Sequence, residues 1–192
     1  MNKARMSTRR ISADAGWQDP KTDESGRRLC RRCQAPVPKG RRSWCGEACI
    51  HEHKIRTNPG YVRQCVEERD KGVCAACGLD TGKLARLLER LCWGSSIYAA
   101  KPRPEWLRDH WAKRVAGIRT RLIASGWDYE TVSGIKSMWA ADHTIPVVEG
   151  GGECGLDGYR TLCVPCHKRA TKELAGRRAQ RSNRRLAVNA EA

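Results

Sequence analysis

The stretch WAADHTIPVVEGGGECGLDGYRTLCVPCHK, residues 139–168, decides the fold. An Asp-His pair precedes a glycine-rich segment, and the stretch ends on Cys-x-x-Cys-His. The β-branched residues on either side of the glycines predict two short strands, and the basic run after Cys166 predicts a helix. Strand, loop, strand, cysteine knuckle and helix is the layout of a small metal-stabilised finger of the α+β class.

The cysteine spacing indicates zinc rather than disulfides. No apolar secretory segment precedes the 11 cysteines, so we expect a reducing cytoplasm, bacterial or phage-like, where disulfides are rare. Two sets of four suit one tetrahedral zinc each: Cys30, Cys33, Cys45 and Cys49, then Cys74, Cys77, Cys163 and Cys166. Independent redox or buried cysteines are the alternative to zinc.

Three further cysteines and two histidines are not part of these two sets. Cys65, Cys92 and Cys154 are left over, and we interpret them as small buried or incidental residues. His51 and His53 are alternative ligands for the first set, less suited than its four thiols.

The charge predicts a polyanionic partner. The net charge of +16 is spread over all 192 residues, with no phenylalanine and a modest supply of apolar side chains. Nucleic acid is the commonest partner of such a chain. No stretch approaches the roughly 20 apolar residues that cross a bilayer, and no basic amphipathic helix indicates a membrane surface.

The chain divides into four predicted parts. We expect a flexible basic arm over 1–28, a four-cysteine zinc unit over 29–57, the main domain over 58–179 with a helical insertion at 80–137, and a basic tail over 180–192. In the main domain, TNPGYVRQCVEERDKG (57–72) predicts a helix that Asn58 caps and Gly72 ends.

The insertion is predicted to contain two helices that pack on the zinc core. KLARLLERLCWG (83–94) places four leucines on one stripe: Leu84, Leu87, Leu88 and Leu91. After the breaker KPRP (101–104), apolar residues recur at helical spacing: Leu107, Trp111, Val115, Ile118 and Leu122. We interpret His110 on this second helix as structural or solvent-facing.

Asp142, His143 and His167 have the chemistry of a metal-dependent hydrolase. A carboxylate and an imidazole suit a divalent cation such as Mg²⁺, Mn²⁺ or Zn²⁺. Consecutive residues of a strand point to opposite faces, so Asp142 and His143 are expected to have different tasks. A neutral histidine can also accept a proton from water near neutral pH.

The motifs CAAC and ADHTIPVVEGGG, followed by LDGYRTLCVPCHK, resemble the HNH (ββα-metal) endonuclease family with its structural zinc. The chain is most similar to the HNH domain of the annealing helicase/endonuclease type that carries a Ran-binding-type zinc finger. Four segments carry this resemblance within residues 29–172: Cys45–Cys49, Ile55–Arg63, Gly72–Cys77 and Asp142–Lys168.

The resemblance implies a role for each residue of this site. His143 would activate water as general base, and Asp142 and His167 would hold catalytic Mg²⁺ or Mn²⁺. Structural zinc would be bound by the second set of four cysteines: Cys74, Cys77, Cys163 and Cys166. DNA contacts are expected from basic residues at the site and on the following helix: Arg160, Lys168, Arg169, Lys172, Arg177 and Arg178. The resulting prediction is a DNA endonuclease acting on phosphodiester bonds, with the DNA form, including branched or single-stranded regions, left open.

Gly158 departs from the family, which has an asparagine at this position. A glycine keeps the backbone carbonyl that orients the base but loses the side chain that ties the loop, a tie that Asp157 could replace. The alternative prediction is therefore a nucleic-acid-binding zinc protein with weak or no cleavage. A zinc module for protein interaction is a third reading, which explains the cysteines but neither Asp142-His143 nor the charge.

Overall fold

A computed structural model describes residues 21–95 and 104–190, without the side chains of 91–95 and 185–190. Residues 1–20 of the predicted arm, most of the KPRP breaker and the last two residues lie outside the described part, as do the side chains of Leu91 and Cys92. Residues 21–28, assigned to the arm from sequence, contain an antiparallel bridge between Thr22 and Arg28.

The described chain combines helices with one small sheet and confirms the α+β class. Its helices are α1 (Glu47–Thr57), α2 (Pro59–Asp70), α3 (Thr81–Ser95), α4 (Glu105–Ala124), α5 (Tyr129–Val132) and α6 (Val164–Ala190). Strands β1 (Trp139–His143) and β2 (Tyr159–Cys163) pair in a two-stranded antiparallel sheet. No helix in the described ranges is long and apolar enough to span a bilayer.

Contacts divide the chain into two compact units. Unit 1 contains the residues up to Arg69 together with His143–Arg160, and unit 2 contains Asp70–Asp142 together with the residues from Thr161 onward. The boundaries fall within β1 and β2, so each strand contributes residues to both units.

Unit 1 contains two consecutive helices, of which the sequence predicted the second. The Asn58 side chain accepts the Tyr61 N–H at 3.0 Å and caps α2 as expected, and the predicted apolar face is buried at Val62, Cys65 and Val66. Helix α1 was not predicted because most of its residues are polar; a single one, Ile55, is fully buried. Ion pairs of Glu52 with Arg32 and Arg56 supplement that one apolar anchor.

Unit 2 has a core in which cysteines and apolar residues pack together. Its buried members are Cys74, Leu88, Trp127, Val132, Met138, Leu162, Cys163 and Cys166. Ile118 and Leu122 of α4 pack against this core, as predicted for the insertion. The predicted leucine stripe of α3 extends further around the helix than the buried face does. Leu88 is 6% exposed, but Leu87 is 55% exposed. Leu87 lies about 100° around the helix from Leu88 and faces solvent.

Candidate metal centres

Unit 2 brings together four cysteines that the sequence separates widely. The Sγ atoms of Cys74, Cys77, Cys163 and Cys166 all lie within 4.8 Å of one another, and the Cys77 and Cys163 sulfurs are 3.7 Å apart. A zinc ion with Zn–S bonds of about 2.3 Å holds tetrahedral sulfurs about 3.8 Å apart. The four thiols therefore fit one zinc ion in both number and spacing.

Backbone hydrogen bonds build this cluster and favour the thiolate of Cys74, whereas burial raises the pKa of Cys163 and of Cys166. The Ala75 N–H donates to the Thr161 carbonyl at 2.8 Å and joins the first knuckle to β2. Burial opposes ionisation of Cys74, but backbone N–H groups of Cys163, Ala76 and Cys77 outweigh it and lower the pKa of Cys74 to about 6. Because zinc binds the thiolate form, a preformed thiolate at Cys74 favours metal binding near neutral pH.

Unit 1 contains a second group of four thiols. Its members are Cys30, Cys33, Cys45 and Cys49, and the Cys45 sulfur lies 3.4 Å from Cys33 and 3.5 Å from Cys49. Burial opposes ionisation of Cys30, yet backbone N–H groups, that of Cys33 foremost, lower its pKa to about 6, whereas burial raises the pKa of Cys49 to about 12. This group also has the number and spacing of ligands for one zinc ion.

The two alternative histidine ligands lie outside this group. His51 Nδ1 is 2.9 Å from the Tyr61 hydroxyl, and the His53 ring lies at a tilt of 37° to the Trp44 ring with 4.8 Å between ring centroids. Both imidazoles pack on aromatic rings of unit 1, so four thiols, without a histidine, form the group that could hold zinc here.

Unit 2 also brings Asp142 and His167 together. Asp142 lies in β1 and His167 in the first turn of α6, and Asp142 Oδ1 is 3.9 Å from His167 Nε2. This separation is too long for a hydrogen bond, but both atoms can reach one cation at about 2.1 Å each. The Asp142 and His167 side chains are 23% and 42% exposed, which leaves the pair open to solvent. A carboxylate oxygen and an imidazole nitrogen form a suitable donor set for a divalent cation with further ligands from water.

His143, the next residue of β1, belongs to unit 1 and is held by the hairpin loop. Its side chain is 7% exposed, and its ring lies 4.4 Å from the Tyr159 ring, centroid to centroid, at a tilt of 45°. The following backbone N–H, that of Thr144, donates to the Gly158 carbonyl at 2.8 Å. The carbonyl that the sequence singled out at position 158 therefore fixes the backbone directly beside His143.

Arg69 secures the same loop, and the sequence analysis missed it. Its Nη1 donates to the Leu156 carbonyl at 2.9 Å and its Nη2 to the Tyr159 carbonyl at 2.7 Å. These two bonds hold both ends of the turn that contains Gly158, and Asp157 in the same turn is exposed. No local pattern distinguishes Arg69 from the other arginines, because its partners lie 87 and 90 residues away.

The structure gives a steric reason for glycine at position 158. A Cβ built on Gly158 would overlap the Cys154 side chain. Cys154 is half-buried and interacts with Tyr159, and burial raises the pKa of its thiol. Cys154 is therefore not incidental, since it fills the space that a side chain at 158 would need.

Gly158→Asn is expected to destabilise unit 1, because the new side chain must displace Cys154. Overpacking of this kind costs about 1–3 kcal/mol, which urea denaturation can resolve. Gly155→Asn is the matched control, since the same loop has open space around Gly155 and its φ of −74° suits any residue. Equal stability of the two variants would contradict the steric reason.

The predicted DNA-contacting residues fall into two groups. Lys168 donates to the Gly126 carbonyl at 3.1 Å and pairs with Asp128, and Arg169 donates to the Cys166 sulfur at 3.1 Å, so both make contacts within unit 2. Lys172, Arg177 and Arg178 are exposed on α6, and Arg160 is half-buried in β2. The outer part of α6 thus presents basic side chains to solvent.

Comparison with known proteins relates the chain to DNA-processing enzymes. It is 32% identical over 178 residues to the Bos taurus DNA annealing helicase and endonuclease ZRANB3, and 30% identical to the Mus musculus and Homo sapiens proteins of that name over 167 and 174 residues. The matches cover 82–87% of this chain but 14–15% of each relative. No protein-family model and no solved structure gives a significant match. The chain is therefore homologous to one segment of proteins named as DNA annealing helicases and endonucleases, and this segment is about 15% of their length.

Proposed function

We propose that the chain is a metal-dependent HNH endonuclease that hydrolyses DNA phosphodiester bonds. The observation that carries this proposal is the 3.9 Å distance between Asp142 Oδ1 and His167 Nε2. His167 directly follows Cys166, the last of the four thiols that fit one zinc ion. The homology to proteins named as DNA annealing helicases and endonucleases and the net charge of +16 support DNA as the substrate.

Asp142 and His167 hold the catalytic Mg²⁺ or Mn²⁺ in this proposal. When bound, such a cation stabilises the negative charge that develops on the phosphoryl and leaving oxygens. Asp142 contributes a negative charge and His167 orients its imidazole toward the same point. His167 directly follows Cys166, so zinc held by the four thiols fixes the turn of α6 from which this imidazole projects.

His143 acts as the general base. Its imidazole takes a proton from the attacking water as the new P–O bond forms and the P–O3′ bond breaks. The departing 3′ oxygen takes a proton from solvent, which leaves 5′-phosphate and 3′-hydroxyl ends. The ring of Tyr159 packs against the imidazole, and the Thr144–Gly158 hydrogen bond fixes the backbone next to it. A base restrained in this way needs little reorganisation to reach the water.

The proposal is tested by Asp142→Asn in a plasmid-nicking assay. Supercoiled DNA should be nicked with Mg²⁺ or Mn²⁺ and not with EDTA, and Asp142→Asn should lower the rate by about 100-fold or more. A higher Mn²⁺ concentration should restore part of the rate, because the amide is a weaker ligand.

Asp157→Asn is the matched control for this test, since Asp157 is an exposed aspartate of the hairpin loop and lies outside the proposed ligand pair. Nicking by Asp142→Asn at the rate of Asp157→Asn would reject Asp142 as a ligand. Nicking that persists in EDTA would reject the proposed metal dependence.

The second candidate is a DNA-binding zinc protein without appreciable cleavage. Gly158 favours it, because Cys154 occupies the space of the family asparagine side chain. This candidate predicts DNA binding by a zinc-loaded protein that nicks no plasmid with either cation.

A further inference from the structure

Helix α4 has one face that packs on the protein and one that does not. Val115 is buried, and Ile118 and Leu122 pack on the core of unit 2. The exposed side, here called the α4 face, carries Trp106, Asp109, His110, Lys113, Arg114, Gly117 and Arg121. Their spacing of three and four residues aligns them along the helix.

Trp106 is the clearest sign that this face has a partner. Its indole side chain is 71% exposed, the largest exposed fraction among the large apolar residues of the described chain. Covering an exposed indole stabilises a complex, because its large apolar surface leaves water. Its flat ring also suits stacking on another ring. The face therefore presents an unused aromatic platform at the first turn of α4.

The charges on this face favour a polyanion. Lys113, Arg114 and Arg121 are basic, and Asp109 is the one acid among the residues of the face. The Arg114 guanidinium lies over the Trp111 ring, 5.7 Å from its centroid, which restrains the cation on the helix surface. Trp106 and Arg121 are 15 residues apart, so the face extends about 22 Å, enough for several nucleotides.

Gly117 lies between these cations without a packing reason. A Cβ built there would meet nothing within 4 Å, and glycine inside a helix costs about 1 kcal/mol relative to alanine. The absence of a side chain lets a partner approach the helix backbone closely. Lys113 and Arg121 lie four residues on either side of Gly117, so both cations can reach a phosphate group that contacts the helix there.

We propose that the α4 face binds single-stranded DNA, with Trp106 stacking on an unpaired base and Lys113, Arg114 and Arg121 contacting phosphates. Unpaired bases expose the faces that an indole stacks on, whereas duplex bases already stack on each other. The assignment to DNA rests on the proposed function and extends it, since it names unpaired segments as part of the substrate.

Trp106→Ala should weaken binding of a fluorescein-labelled oligothymidine by about tenfold, measured by anisotropy without divalent cation. Binding of a duplex of equal length should change by less than about twofold, and Trp106→Phe should retain most of the affinity because it keeps a ring. Ile135→Ala is the matched control, since Ile135 is a 70% exposed apolar residue of the same unit. Circular dichroism and zinc content check that each variant is folded.

The basic residues are tested by charge reversal. Lys113→Glu with Arg121→Glu should reduce the slope of log affinity against log salt by about 1.4, because two phosphate contacts are lost at roughly 0.7 each. Lys83→Glu is the matched control, as its side chain is 78% exposed on α3. A slope equal to that of this control would overturn the assignment of the two cations.

Two outcomes would overturn the stacking. One is an unchanged oligothymidine affinity in Trp106→Ala, and the other is displacement of the oligonucleotide by polyglutamate as readily as by unlabelled oligothymidine. Failure of the proposed function is seen separately, in the nicking assay. If the protein nicks no plasmid but Trp106→Ala still abolishes oligothymidine binding, the binding role of the α4 face is supported and the nuclease function is rejected.

Discussion

His143→Ala is expected to abolish metal-dependent nicking, with a fall in rate of about 100- to 10,000-fold, the usual contribution of a positioned general base. His143 is 7% exposed and packs on Tyr159, so its removal leaves a cavity beside that ring. Added imidazole should restore part of the rate, because it can enter this cavity and accept the proton. The time course of plasmid relaxation measures both effects.

The control for this variant is His51→Ala, which removes an imidazole of the same unit that contacts the Tyr61 hydroxyl. DNA affinity and zinc content should be unchanged in His143→Ala, which separates lost chemistry from lost structure. If His143→Ala nicked DNA at the rate of His51→Ala, the base would have to be another group and the proposed role of His143 would be wrong.

Cys163→Ser is expected to release one of two bound zinc ions and to unfold unit 2. Structural zinc contributes on the order of 10 kcal/mol to the folding of small zinc domains, comparable to the whole stability of a typical domain. Cys163 is 2% exposed and lies in the core beside Leu162, so the loss of its metal also leaves a polar group in an apolar setting. Zinc titration after denaturation and far-UV circular dichroism measure the two effects.

Cys65→Ser is the matched control, because Cys65 is 8% exposed and belongs to neither four-thiol group. It should keep both zinc ions and lose about 1–3 kcal/mol of stability, the cost of a buried hydroxyl. Two zinc ions retained in Cys163→Ser, with a stability equal to that of Cys65→Ser, would contradict a structural zinc in unit 2.

Local sequence patterns were sufficient for the fold class and for most helices. The Asn58 cap, the apolar face of α2 and the periodicity of α4 depend on residues within a few turns of each other, so their spacing alone predicts them. The pattern was insufficient for α1, whose polar sequence has one fully buried residue. It was also misleading for Leu87, because helical spacing does not say where the core ends.

The tertiary structure decided the contacts between residues that are distant in sequence. The sequence by itself determined the α+β class, the two sets of four cysteines and the candidate residues Asp142, His143 and His167. Only the folded chain brings Cys77 to 3.7 Å from Cys163, places Arg69 on the carbonyls of Leu156 and Tyr159, and fills the space beside Gly158 with Cys154. The physical reason is that periodicity encodes which face of an element is apolar, whereas the approach of two side chains depends on how the elements pack.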